Sequence, residues 1–192
     1  YISKIAKKYK LEVIENPEPG KGIGYDFDFA SNCVDSELVT IAHQDDIYDY
    51  DYAKKVVDMY KKYPKSIIIF TDYYEIKGEE KVYSNTNLRI KRILLFPLRF
   101  HGISKFKFIK RCSVRLGTAI GCPAVTFVTK NTPKDKFKSD MKCDIDWLAW
   151  ERLSKLKGNF IYMKDKLMGH RISEESTTTA IINDGIRTKE DL

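Results

Sequence analysis

Leu38-Val39-Thr40-Ile41-Ala42-His43-Gln44-Asp45-Asp46 passes from an apolar run straight into two adjacent carboxylates. A short apolar run of this kind has the composition of a strand buried on both faces. Upstream, Phe27, Ala30 and Val34 fall on one helical face, and before them Leu11 to Glu15 alternates like a short strand. The order strand, helix, strand predicts a parallel pair joined by a right-handed crossover. Open α/β sheets bind ligands at the carboxyl ends of their strands. Asp45 and Asp46 stand at such an end, so the first candidate site lies there.

Working outward, Ile2, Ile5, Ala6 and Tyr9 mark an opening amphipathic helix, and Asn16-Pro17-Glu18-Pro19-Gly20 is a loop. Beyond Asp49, Ala53, Val56, Val57 and Tyr60 recur at helical spacing, with Pro64 just past the end. Ser66 to Ile76 reads as a strand carrying Asp72 near its carboxyl end, and Pro97 and Gly102 interrupt any single helix over 88–111. The stretch Ala124 to Val128 is a strand entered through Pro123. Ile145, Leu148, Ala149, Leu153 and Leu156 predict a helix closed by Gly158, followed by a strand from Phe160 to Met163 and a polar Ser/Thr tail. The pattern predicts one α/β domain over 1–192, with a mixed, mainly parallel sheet flanked by helices. Gly20, Gly22 and Gly24 lack the spacing of a dinucleotide fingerprint and no strand feeds into them, so they make no phosphate cradle.

Composition narrows the function. With 43% hydrophobic residues the 192-residue chain can bury one core, and no apolar run approaches the ~20 residues that cross a bilayer. The expectation is a soluble, cytoplasmic protein. Four cysteines without C-x-x-C spacing suggest neither a zinc site nor a disulfide framework. A net charge of +7 favours polyanionic company: nucleic acid, a phosphorylated small molecule or an anionic membrane surface. The basic residues are scattered and no recognition motif accompanies them, which argues against nucleic acid. Lys91 to Arg111 interleaves basic residues with Ile, Leu and Phe. Such a surface suits peripheral contact with the inner face of a membrane or a pyrophosphate-bearing acceptor, and equally an insertion with snorkelling lysines. Tyr1 opens directly on a helical pattern and 187–192 reads like the first turn of an unfinished helix, so both ends are expected to be processed or cut.

Three groups of residues together resemble a known family. They are Gly22-Ile23-Gly24-Tyr25-Asp26-Phe27-Asp28-Phe29-Ala30 with Leu38 to Tyr48; Asp144-Ile145-Asp146-Trp147-Leu148-Ala149-Trp150; and Leu167-Met168-Gly169-His170-Arg171-Ile172 with Ser176 and Thr177. In this order they resemble the family 2 glycosyltransferases. The resemblance implies a GT-A-like (Rossmann-like) fold, here without the family's opening strand at the N-terminus. It further implies a nucleotide-sugar-binding half over 1–76 and an acceptor-binding half over 77–192. The sheet edge left open at the front invites a homodimer.

The resemblance also implies chemistry: metal-assisted, inverting transfer from a nucleotide-diphospho-sugar donor to a cell-surface glycan or a lipid-linked acceptor. A leaving nucleoside diphosphate develops negative charge, which a hard cation such as Mn²⁺ or Mg²⁺ neutralises. Asp45 matches the metal-binding Asp of the family's D-x-D motif, with His43 in the motif's first position. Asp28, His43, Asp45, Asp46 and Arg171 fall on the donor side. Asp146 corresponds to the base that deprotonates the acceptor hydroxyl, with Asp144 second, and Trp147 and Trp150 offer aromatic faces on the acceptor side. The same residues also read structurally: Asp45-Asp46 as a cap for the helix starting near Asp49, Asp144 and Asp146 as N-caps, and the tryptophans as core. Ser173 stands where the family has a tail histidine. With His43 this gives a second reading, a GT-A-like glycan- or nucleotide-binding module without turnover.

Overall fold

A computed structural model describes residues 2–141 and 143–172. Ser173, Ser176, Thr177 and the helical turn expected at 187–192 lie outside the described residues. The chain is mixed α/β, as the periodicities predict. Its helices are α1 (Ile2–Tyr9), α2 (Ile23–Asn32), α3 (Tyr52–Lys62), α4 (Thr86–Leu95), α5 (Lys107–Val114) and α6 (Ile145–Ser154). The strands are β1 (Leu38–Thr40), β2 (Ile47–Tyr48), β3 (Ser66–Lys77), β4 (Glu80–Val82), β5 (Val125–Val128) and β6 (Asn159–Ile172).

The sheet runs β1-β5-β3-β6-β2, with β4 hairpinned onto β3. Its longest ladder, β3 with β6, is parallel, and the other pairings are antiparallel. β3 is apolar without alternation from Ile67 to Phe70 and is buried on both faces. Ile68 and Phe70 pack with Phe127, Phe160 and Tyr162 against α6 and the α4–α5 region. Ile69 points the other way, joining Val128, Ile161 and Met163 under Tyr52 and Val56 of α3. Two helical layers therefore sandwich the sheet, and the period-2 side-chain alternation of a strand supplies both cores at once.

The expected strand over Leu11 to Glu15 does not form. The segment is exposed coil, turned off α1 by Lys10 in a left-handed conformation, and Leu11 and Val13 have no sheet partner. Without it there is no parallel partner for Leu38 to Ala42, and β1 pairs antiparallel with β5 at the sheet edge. β1 still points the same way as β3 and β6, because two successive antiparallel pairings through β5 restore its direction. The carboxyl ends of β1, β3 and β6 consequently gather at one end of the sheet.

Gly158 closes the α6–β6 connection at φ 129°, and a β-carbon there would stand 2.5 Å from the Lys65 carbonyl and 2.9 Å from Ile67. Both backbone strain and collision oppose any side chain. Gly158→Ala is expected to lower stability by at least about 1 kcal/mol, read as a fall in the urea midpoint with an unchanged slope.

Candidate active site at the carboxyl ends of the strands

The His43–Asp46 loop leaves the end of β1 and leads directly into β2. Since β2 lies antiparallel on β6, with Ile47 opposite Gly169, Asp46 is carried opposite His170. His170 Nδ1 is 3.1 Å from Asp46 Oδ1, and the Arg171 amide donates to the same oxygen at 2.9 Å. Burial works to raise the Asp46 pKa, but these two contacts prevail and hold it below the ordinary carboxylate value. Arg171 also donates from Nε to the Asp45 carbonyl at 3.0 Å, which pins the loop to the end of β6.

Ligand atoms of His43, Asp45 and Asp46 lie within 4.8 Å of one another. Asp46 Oδ2 and His43 Nε2 are buried without a hydrogen-bond partner, whereas Asp45 is exposed. Burial also lowers the His43 pKa, which keeps its imidazole neutral and able to ligate. One imidazole and two carboxylates, two of the three with an unpartnered buried atom, make a donor set suited to a hard divalent cation. The capping role for Asp45-Asp46 does not arise: α3 begins at Tyr52 with Asp51 at its N-cap, and β2 lies between.

Asp146 sits in the first turn of α6. Thr118 donates to its Oδ2 at 3.3 Å, and the Trp147 amide lies 2.7 Å from Oδ1. Burial pushes its pKa up to about 6, reinforced by the charge of Asp144 and opposed by the Trp147 amide, Lys91 and Thr118. Asp144 occupies the N-cap position, buried, but its side chain makes no capping bond to the helix.

The two carboxylate groups, about a hundred positions apart in sequence, border the same 118–123 segment: Thr118 bonds Asp146, and Tyr48, two residues beyond Asp46, donates from its hydroxyl to the Pro123 carbonyl. The buried Cys122 thiol is raised well above its ordinary value by burial and by the charges of Asp146 and Asp46 together, so it lies within electrostatic reach of both. A second path closes the ring. His170 meets the Tyr73 ring edge-on at 6.0 Å, Lys91 Nζ donates to the Tyr73 hydroxyl at 2.8 Å, and the charge of Lys91 acts on Asp146. Gly121 permits this packing, since its Cβ position lies 3.2 Å from the Tyr73 ring. Behind it, Asp72 accepts from Arg92 at 2.7 Å in a largely buried pair that ties α4 to β3.

Other sequence candidates are placed elsewhere. The Asp28 carboxylate is buried and accepts the Phe137 amide at 3.1 Å, with Lys136 at 3.9 Å, so it fastens α2 to the 136–138 segment. Only its neighbour Phe27 reaches the cluster, with its ring 5.5 Å from that of His43. Trp147 and Trp150 are core: their indole N–H groups donate to the Val114 and Ile120 carbonyls, and neither has an open face for a sugar ring. His170, Tyr73, Lys91 and Thr118 are not among the residues expected from sequence. His170 is legible there, as the neighbour of Arg171 in the tail motif; the other three join only through tertiary packing.

Residues 1–126 match the family model described as glycosyl transferase family 2. No curated protein matches the chain. The matched segment contains His43 to Asp46, Tyr73, Lys91, Thr118 and Cys122; Asp146, His170 and Arg171 meet them through the fold.

Proposed function

The chain belongs to glycosyl transferase family 2, and we propose that it moves a sugar from a nucleotide-diphospho-sugar donor to a hydroxyl of a glycan or lipid-linked acceptor, inverting the anomeric carbon. What supports this reading is that the His43–Asp45–Asp46 cluster and Asp146 flank one segment, Thr118 bonding Asp146 and Tyr48 the Pro123 carbonyl. Family membership implies a divalent metal, and the residues present fit one: Asp45, Asp46 and His43 would hold it through two carboxylates and a neutral imidazole. When bound, such a cation supplies positive charge against the diphosphate oxygens as the sugar departs.

The protein's own groups perform the remaining work. Arg171 orders the His43–Asp46 loop through the Asp45 carbonyl, and His170 with the Arg171 amide engages Oδ1 of Asp46, leaving the buried Oδ2 without a hydrogen-bond partner. Asp146, ionised above about pH 6, accepts the acceptor hydroxyl's proton. As that O–H bond breaks, the hydroxyl oxygen forms a bond to the anomeric carbon. The bond from that carbon to the phosphate oxygen breaks with its electron pair leaving on the nucleoside diphosphate. Thr118 and Lys91 orient and charge-balance Asp146.

The test is a Mn²⁺-containing assay of donor hydrolysis and transfer over uridine-, guanosine- and thymidine-diphospho-sugars, beside calorimetric titration with the corresponding diphosphates. Metal-dependent turnover of one donor class is expected. Diphosphate binding with no turnover of any donor favours the binding-module reading.

A further inference from the structure

Between Lys81 and Lys134 the chain carries twelve Lys and Arg and not one Asp or Glu. This single segment exceeds the net charge of the whole protein, +7, so the remainder is acidic overall. The segment also holds a concentration of exposed large apolar side chains. On α4, Ile90 and Ile93 lie one helical turn apart and face solvent, Ile93 being 71% exposed. The stripe continues through Phe96 and Phe100, whose rings meet edge-on at 5.7 Å, and exposed Phe106 and Phe108 add to it at the start of α5.

Several of the cations serve the interior. Arg92 pairs with Asp72, Lys91 holds Tyr73, and Lys110 donates to the Leu156 and Gly158 carbonyls. Those left on the surface stand among the exposed rings: the Arg99 guanidinium lies 5.6 Å from the Phe96 ring centre, and Lys105 Nζ lies 5.5 Å from that of Phe106. Lys107 is exposed beside them.

We propose that this face, α4 through the start of α5, docks the protein on an anionic lipid bilayer, with Ile93, Phe96 and Phe100 entering the headgroup boundary and Arg99, Lys105 and Lys107 meeting lipid phosphates. Apolar side chains ringed by cations, with no acidic residue in the segment, match such a surface in both polarity and charge. A second copy of the chain is a poor occupant, because two like-charged faces repel. Nucleic acid is another, since it offers no apolar layer for Ile90 and Ile93. The opposite side of α4 carries Lys91 to the Tyr73–Asp146 region, so docking brings the cleft close to the bilayer, where a lipid-linked acceptor resides. The docking itself does not depend on sugar transfer, and its test requires no donor.

Cosedimentation with vesicles of phosphatidylcholine alone, or mixed with phosphatidylglycerol, measures it. The protein is expected to bind the mixed vesicles, weakly or not at all the neutral ones, and to lose affinity with added salt. The pair Ile93→Ser and Phe96→Ser, and separately the pair Lys105→Glu and Lys107→Glu, is expected to reduce partitioning at least about tenfold. All these side chains are exposed, and circular dichroism checks that the fold is kept. Leu11→Ser, an exposed apolar site outside the face, is expected to leave binding unchanged. Absence of binding, equal binding to both vesicle types, undiminished binding by both variant pairs, or a dimer dispersed by Ile93→Ser with Phe96→Ser would each overturn the proposal.

Discussion

Asp146→Asn is expected to reduce sugar transfer by about 10²–10⁴-fold, the range that a positioned general base contributes, while leaving nucleoside diphosphate binding nearly unchanged. Asn keeps the size of the side chain and can still meet the Trp147 amide and the Thr118 hydroxyl, but it cannot take up a proton. The unsubstituted protein should gain activity as pH rises through about 6, the value to which burial lifts this carboxyl. Stability moves the opposite way. A carboxyl whose folded pKa exceeds its unfolded one stabilises the protein at low pH, and that contribution is lost as pH rises through the folded value. Ionised Asp146 is therefore a burden at pH 7.5, and Asp146→Asn should raise the melting temperature there, by roughly 1–3 kcal/mol in stability, with the gain shrinking below pH 6. An inactive variant that keeps its fold and its nucleotide affinity separates a base from a mere helix cap, because Asn caps a helix as well as Asp does but cannot take up a proton.

Asp45→Asn is the second large effect. Asp45 is the exposed member of the cluster and joins Arg171 through its backbone carbonyl, so removing its carboxylate leaves the loop's anchor in place. Mn²⁺ affinity is expected to fall by more than the ~10–100-fold that follows loss of a supporting partner, with transfer falling alongside and the melting temperature unchanged. Asp46→Ala should behave differently. Its side chain is fully buried and accepts from His170 and the Arg171 amide, so metal affinity and stability fall together. Calorimetric titration with Mn²⁺ alone, beside thermal melts, reads both variants.

The apolar run into His43–Asp46, the strand from Ser66 and the helix from Ile145 were legible because each buries a face whose period is written locally. The placement of Asp45 and Asp46 past the carboxyl end of β1 does not depend on the strand that fails to form: β5, inserted between β1 and β3, preserves the direction of β1 although the expected parallel partner at Leu11 to Glu15 is coil. That failure has a simple origin. Alternation at Leu11 and Val13 states that a segment can pair, while pairing itself depends on a distant neighbour.

β6 is another instance. The expected strand stopped at Met163 because Lys164, Asp165 and Lys166 break the apolar pattern, yet the pairing with β3 shifts register there and resumes through Ile172. Asp165 is turned out to Lys55 at 2.7 Å. This continuation, with the two-residue β2 beside it, is what delivers His170 to Asp46, and nothing near His170 in sequence announces it. Trp147 and Trp150 were ambiguous for a different reason. Aromatic spacing on a helix is the same for a sugar platform and a core, and only the indole bonds to Val114 and Ile120 decide between them.

The most direct measurement is a crystal structure of the protein soaked with Mn²⁺ and a nucleoside diphosphate, uridine and guanosine diphosphate in turn. The account predicts anomalous density for manganese bounded by His43, Asp45 and Asp46, with the diphosphate between it and Asp146. Manganese bound away from these three side chains, or a diphosphate seated out of reach of Asp146, would contradict it.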